Sequence, residues 1–226
     1  MKDKNNFKIQ ILDAALELYS ENQMQFSLSN VAKRLKVTRG KIYAQFGTKN
    51  SVLLYFYQSC FEKYIKQTNE ISDYSQFTIE EKLGHLVYTH IELFQKEKEF
   101  VESTFNEIIY KSNGKNIFQK SLEEQIKNIL KESEGDATLL PGEYLSTFMV
   151  KELFHIFKFW IKDDSEQSEQ TIELTDKIIA FVGEILRNQI FTKGIDLGRT
   201  LLDKDLIRFS SKGLNLFLKS FLHRCA

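Results

Sequence analysis

Apolar residues recur at three- and four-residue steps along nearly the whole chain, with polar residues filling the positions between. Ile11, Leu12, Ala15, Leu18 and Tyr19 mark one face of a helix over residues 7–22. A connection at 23–26 leads to Ser27 and Ser29, either of which can cap a short helix whose inner face is Val31, Ala32 and Leu35. Val37 falls in the turn that follows. Thr38 then stands where an N-cap hydroxyl belongs and opens a second short helix, with Ile42 and Phe46 facing inward. Gly47 breaks the chain, and Thr48 caps a long helix over 50–71 with Val52, Leu53, Phe56, Phe61, Tyr64 and Ile65 on its inner side.

The same period continues. After a polar linker at 72–77, Thr78 and Glu81 have capping-box spacing and open a helix to about Lys96. Helices over 100–110 and 115–131 follow, separated by the Ser-Asn-Gly at 112–114, and 132–142 reads as a loop with Pro141 near the next helix start. The run 144–161 is the most apolar, with twelve hydrophobic residues of eighteen distributed all around the helix, so more than one face must be covered. A polar loop at 163–170 precedes a helix over 171–191 carrying Ile178, Ile179, Val182, Ile185 and Leu186. The tail begins with Gly194 and Gly198, then gives an amphipathic stretch at 206–222 and an extra helix over about 203–223. With one Pro and ten Gly in 226 residues, the fold class is all-α.

Charge divides the chain. The net charge is zero, yet residues 1–50 hold nine cations against four anions, leaving 22 against 27 for the remainder. A basic end on an acidic body suits a nucleic-acid-reading module joined to a domain with another task. The expected organisation is a DNA-binding domain at 1–50 and a ligand-binding and dimerisation domain at 51–226. Cys60 and Cys225 are too few and too far apart for a disulfide framework, which fits a reducing compartment. The N-terminus has no apolar leader and no window reaches eighteen apolar residues, so a cytoplasmic protein is expected, without membrane contact.

The second short helix carries the chemistry. Behind Ile42 and Phe46, its outside presents Arg39, Lys41, Tyr43 and Gln45. Arg and Lys reach guanine edges or phosphates, Gln reaches adenine, and Tyr donates to phosphate oxygen. Gly40 leaves no side chain between the helix start and a closely approaching base. Ser27 or Ser29 and Lys49, each at a helix start, offer further phosphate contacts. Two short helices joined by a tight turn form a helix-turn-helix.

Residues 11–54 resemble the DNA-binding domain of the tetracycline-repressor-like (TetR) transcriptional regulators. The match lies in ILDAALELY, in 27–32, and in VTRGKIYAQFGTKNSVLL, which stands where the family has a valine–serine–lysine–glycine–threonine–leucine–tyrosine run, a Phe and a Lys. The resemblance implies a three-helix DNA-binding domain ahead of a larger helical body, and a homodimer on double-stranded operator DNA. It implies base contacts from Arg39 and Gly40, phosphate contacts from Thr38, Tyr43, Gln45 and Lys49, and Lys41 facing the groove. It also implies release by a small-molecule effector bound near Tyr88, Phe105, Tyr110, Phe148 and Phe157, and dimerisation through 144–161 and 171–191. A repressor follows from the family's habit. One departure is Lys36, at a turn position that the family usually gives to Gly; a non-Gly residue there adopts a left-handed conformation at a cost of about 1 kcal/mol. Ala44 and Gln45 depart from the bulky residues that usually follow Tyr43.

Other functions have weak support. The histidines at 85, 90, 155 and 223 show no metalloprotease spacing, and no nucleophile elbow or phosphate loop exists, so no enzyme, cofactor or metal is expected. Glu152 and His155, three apart on one helix, are too few ligands for a carboxylate-bridged metal pair. The competing reading is a helical binding or scaffold protein whose helix-turn-helix does not bind DNA. For the amphipathic tail, packing on the body outweighs a membrane surface.

Overall fold

The computed structural model describes residues 2–112, 116–132 and 142–187, and their regular structure is all helical. Of the loop expected at 132–142, Glu132 ends one helix and Gly142 begins the next, while 133–141 with Pro141, and the whole tail with its 206–222 stretch, lie outside the described residues. α1 (Lys2–Glu21) starts several residues before its apolar stripe, and a 3-10 turn (Gln23–Gln25) leads to α2 (Leu28–Arg34) and α3 (Arg39–Tyr43). α4 (Lys49–Glu70), α5 (Ile79–Gln95) and α6 (Lys98–Thr104) follow. α6 runs on into a π-helical segment (Phe105–Tyr110), and α7 (Ile117–Glu132), α8 (Gly142–Ile161) and α9 (Glu169–Arg187) are the further α-helices among the described residues. Among the described residues no helix is long and apolar enough to cross a membrane.

Local chemistry sets these boundaries. At α5, Thr78 Oγ1 accepts from the Glu81 N–H at 3.2 Å while the Thr78 N–H donates to Glu81 Oε2 at 2.7 Å, the reciprocal pair its spacing predicts. Those hydrogen bonds hold the Glu81 carboxyl below its ordinary range. α4 has the same device with a smaller partner: Thr48 and Ser51 exchange backbone and hydroxyl bonds at 3.1 and 3.2 Å. Ahead of α9, burial raises the Asp163 carboxyl, but hydrogen bonds from Ser165 and Thr171 outweigh it and hold the group well below the usual carboxylate range. In the π segment the Lys111 N–H reaches back five residues to the Asn106 carbonyl, at 2.9 Å.

The small basic module closes over Ile11, Leu18, Val31, Ile42 and Phe46, which Val52 and Leu53 of α4 complete. α4 belongs to both halves, because its next turns enter the core of the body. That core is built of rings. Phe94 packs against Tyr57, His90, Phe105, Phe118, Phe157 and Trp160, with centroids between 5.1 and 6.5 Å. Edge-to-face pairs such as Phe94–Phe157 (71°) and Tyr57–Phe94 (79°) use the favourable quadrupole arrangement. Burial lifts the Tyr57 phenol far above its ordinary range. Its hydroxyl donates to Thr104 Oγ1 at 2.7 Å, since that oxygen's own proton goes to the Phe100 carbonyl.

α8 buries Val150, Leu153, Phe154, Phe157 and Trp160 yet leaves Phe148 and Phe159 exposed. α9 lies against α5, where Gly84 meets Ile179 and Gly183 meets the Glu80 side chain. Ile172 and Phe181 remain on its outside.

Candidate nucleic-acid interface

α2 ends in a Schellman turn that aims α3. The Val37 N–H donates to the Ala32 carbonyl at 3.0 Å and the Lys36 N–H to Lys33 at 3.1 Å, which places Lys36 at the left-handed position with φ 54°. This is the conformation expected of the residue that replaces Gly. Ser27 is the N-cap of α2, accepting from the Asn30 N–H at 3.2 Å, while Ser29 lies inside the first turn, half-buried. Thr38 begins α3 in extended backbone, and its side chain makes no capping bond.

α3 spans five residues and is anchored by Ile42, fully buried, with Phe46 just beyond it. The Phe46 ring is braced from behind by Tyr55 at 5.2 Å and by the Lys8 ammonium at 5.9 Å. Sequence patterning gave Lys8 no role, because its partners are distant in the chain. Thr38, Arg39, Gly40, Lys41 and Tyr43 are all exposed on the opposite side. Among the described residues no ion pair engages Arg39, Lys41 or Lys49. Arg34 differs: Glu21 holds it with two bonds of 2.8 and 2.6 Å and Glu17 with one of 3.2 Å, so it staples α2 to α1. The hydrogen bonds with Glu21 raise the Arg34 guanidinium and lower the Glu21 carboxyl.

Gly40 is informative through what is missing around it. A Cβ built there meets no atom of the described residues within 4 Å, so their packing does not require glycine. Lys49 lies with its ammonium 4.9 Å from the Phe26 ring centroid, at the start of α4. Gln45 is half-buried, with Oε1 enclosed and unpartnered. The structure therefore brings Thr38, Arg39, Gly40, Lys41 and Tyr43 onto one exposed surface. Lys49 stands beside Phe26, and Gln45 turns partly inward.

The five residues expected around an effector stand in different surroundings among the described residues. Phe105 and Phe157 are fully buried and pack edge to face at 6.0 Å inside the ring core. Tyr110 lies outside, with the Lys158 ammonium 3.7 Å from its ring centroid and its hydroxyl 3.1 Å from His155 Nε2. Phe148, 55% exposed, stands on the rim of an apolar groove of about 220 Å³ between α5, α8 and α9. Tyr88 borders a cleft of about 710 Å³ at the α8–α9 turn, and its phenol, raised by burial and then by Asp176, hydrogen-bonds that carboxylate. Helical spacing identifies inward rings, but cannot say whether they meet or leave a void. His155 and Glu152 are paired at 3.3 Å, and among the described residues no cluster of three metal-ligating side chains forms.

Comparisons with known proteins agree with this geometry. Residues 11–56 match the family described as "Bacterial regulatory proteins, tetR family", and residues 82–201 match "Tetracyclin repressor-like, C-terminal domain". The chain is similar to the "Fatty acid metabolism regulator protein" of Bacillus subtilis (strain 168), with 32% identity over 94 residues, or 41% of this chain. The match spans about half (48%) of that relative's length. With one match across the reading module and another across more than half of the chain, this protein belongs to the TetR family of DNA-binding transcription regulators.

Proposed function

We propose that the chain is a homodimeric repressor that reads operator DNA through α3 and leaves it when a small apolar or amphipathic molecule binds the body. The observation that carries the reading is the outer surface of α3, where, among the described residues, Arg39 and Lys41 stand without an ion pair beside a glycine that packing does not require. Arg39 and Gly40 contact base edges; Thr38, Tyr43 and Lys49 contact phosphates, with Ser27 or Ser29 and Gln45 at the margin. The two copies join through α8 and α9, where Phe148, Phe159, Ile172 and Phe181 otherwise face water. The paired reading helices then meet successive major grooves roughly 34–36 Å apart. Such a protein works in the cytoplasm, with the DNA.

Release requires that the ligand bind a state in which the two reading helices no longer match that spacing. The relative named for fatty-acid metabolism supports an effector with an apolar body. The test is fluorescence anisotropy with DNA from upstream of the protein's own gene, at several salt concentrations. Competitor-resistant binding with a steep salt slope is expected. Absence of binding at low salt overturns the reading.

A further inference from the structure

Two hydrogen-bond donors on residues that line the cleft at the α8–α9 turn have no acceptor among the described residues. Trp160 lines it, is fully buried, and its indole N–H has no acceptor among the described residues. The Lys98 ammonium lies over the same ring, 5.6 Å from the centroid, and among the described residues no carboxylate pairs with it. The acidic groups nearby are occupied or free in an instructive way. Asp163 is spent on Ser165 and Thr171, and Glu92 is paired with Lys96 at 3.4 Å, which leaves Asp164 as an exposed carboxylate at the margin. Ile91 and Ile172 add apolar wall.

Two neighbouring donors call for one group that accepts at two oxygens. A carboxylate does so, and its single charge faces less repulsion from the acidic margin than a phosphate dianion would. The isoleucines and a volume of about 710 Å³ leave room for an apolar body behind that head. From this arrangement we infer that the cleft binds an amphipathic organic acid, with its carboxylate on Lys98 and the Trp160 N–H. The site deepens the proposed function, on which its regulatory meaning rests. Lys98 begins α6, and further along α6 Phe100 and Ser103 touch Tyr19 of the reading module. A carboxylate that draws Lys98 off the indole therefore acts on the element in contact with α1.

Trp160 is the one tryptophan of the chain, so its emission reports on the site directly. The full chain is titrated with decanoate and, separately, with decanol, each below its aggregation limit. Saturable change with decanoate, at least tenfold weaker change with decanol, and at least tenfold loss of decanoate affinity in Lys98→Met are expected, with Lys98→Arg retaining binding. Equal responses to acid and alcohol, an unchanged affinity in Lys98→Met, or no saturable change with decanoate overturns the inference. Operator binding without decanoate, read by anisotropy, is a separate measurement: its absence defeats the regulator reading while the emission titration still decides the site.

Discussion

The Tyr19 phenol of α1 donates to Ser103 Oγ of α6 at 3.1 Å, across 84 residues of sequence, and its ring packs edge-on against Phe100 at 5.0 Å. This joint is a direct contact between the reading module and the body, besides the shared helix α4. Tyr19→Phe and Ser103→Ala should each lower stability by about 0.5–1.5 kcal/mol, the ordinary worth of one hydrogen bond. In the double variant the losses should fall short of the sum by about 0.5 kcal/mol or more. Urea denaturation of the four proteins measures this, and strict additivity would show that the two hydroxyls do not interact.

Lys36 holds a left-handed backbone at φ 54° that glycine adopts without a steric penalty. Lys36→Gly should raise stability by about 1 kcal/mol, with a rise in Tm of roughly 2–4 °C for a chain of this size. Lys36→Ala is the control. It removes the same charge but keeps the Cβ, and should give no gain.

Substitutions at Gly40 and Arg39 test the proposed reading surface apart from folding. A Cβ at position 40 has free space, so Gly40→Ala should fold with unchanged or slightly greater stability, yet lose operator affinity tenfold or more as the methyl holds the helix off the base edges. Arg39→Ala should cost about 1–3 kcal/mol at one base position. Lys49→Ala should flatten the salt slope by about one, whereas Arg34→Ala should leave it unchanged, because Arg34 is held by Glu17 and Glu21. Anisotropy against an operator and single-base variants separates these effects. Unaltered affinity in Gly40→Ala and Arg39→Ala together would place the reading surface elsewhere.

His90 makes the body acid-sensitive. Its Nδ1–H donates to the Leu86 carbonyl at 2.7 Å, which leaves Nε2 bare and unpartnered among the rings of Tyr64, Phe94, Phe118 and Phe157. Burial holds the imidazole down to about 4 from its ordinary 6.5, against the opposing Leu86 bond. Well above pH 6.5 the group is neutral in both states. As pH falls from 6.5 to 4, the unfolded chain takes a proton that the native chain refuses, so stability is lost, on the order of 3 kcal/mol in all. Burial lowers His85 as well, and its share has the same sign. Chemical denaturation between pH 7 and 5 should show the loss, and His90→Leu should remove most of it; an identical slope in that variant would refute the assignment.

Much of this architecture is written in local sequence. Thr78 with Glu81, Ile42 with Phe46, and the conformation of Lys36 all follow from spacing over a few residues, where backbone geometry leaves little choice. The α4 cap has Ser51 in place of a longer partner, a pairing that side-chain reach makes harder to foresee. How the rings expected around an effector pack is less legible, for a different reason. Periodicity puts Phe105 and Phe157 on inner faces but is silent on interdigitation, and here the rings fill the centre of the body. Trp160 and Lys98, sixty-two positions apart, come together only through the crossing of α8 with the start of α6. No local pattern marks such a pair.

The wide turn at Phe105–Tyr110 has an evolutionary reading. A single residue inserted into an ordinary α-helix rotates every side chain beyond it by about 100°, moving buried residues toward water. A π turn absorbs the additional residue locally. Thr104 before the widening and Phe105 and Ile109 within it all remain buried. Chain length can therefore change here by one residue without reassigning core and surface on either side, and a homologue one residue shorter in this segment would keep the same fold with a regular helix.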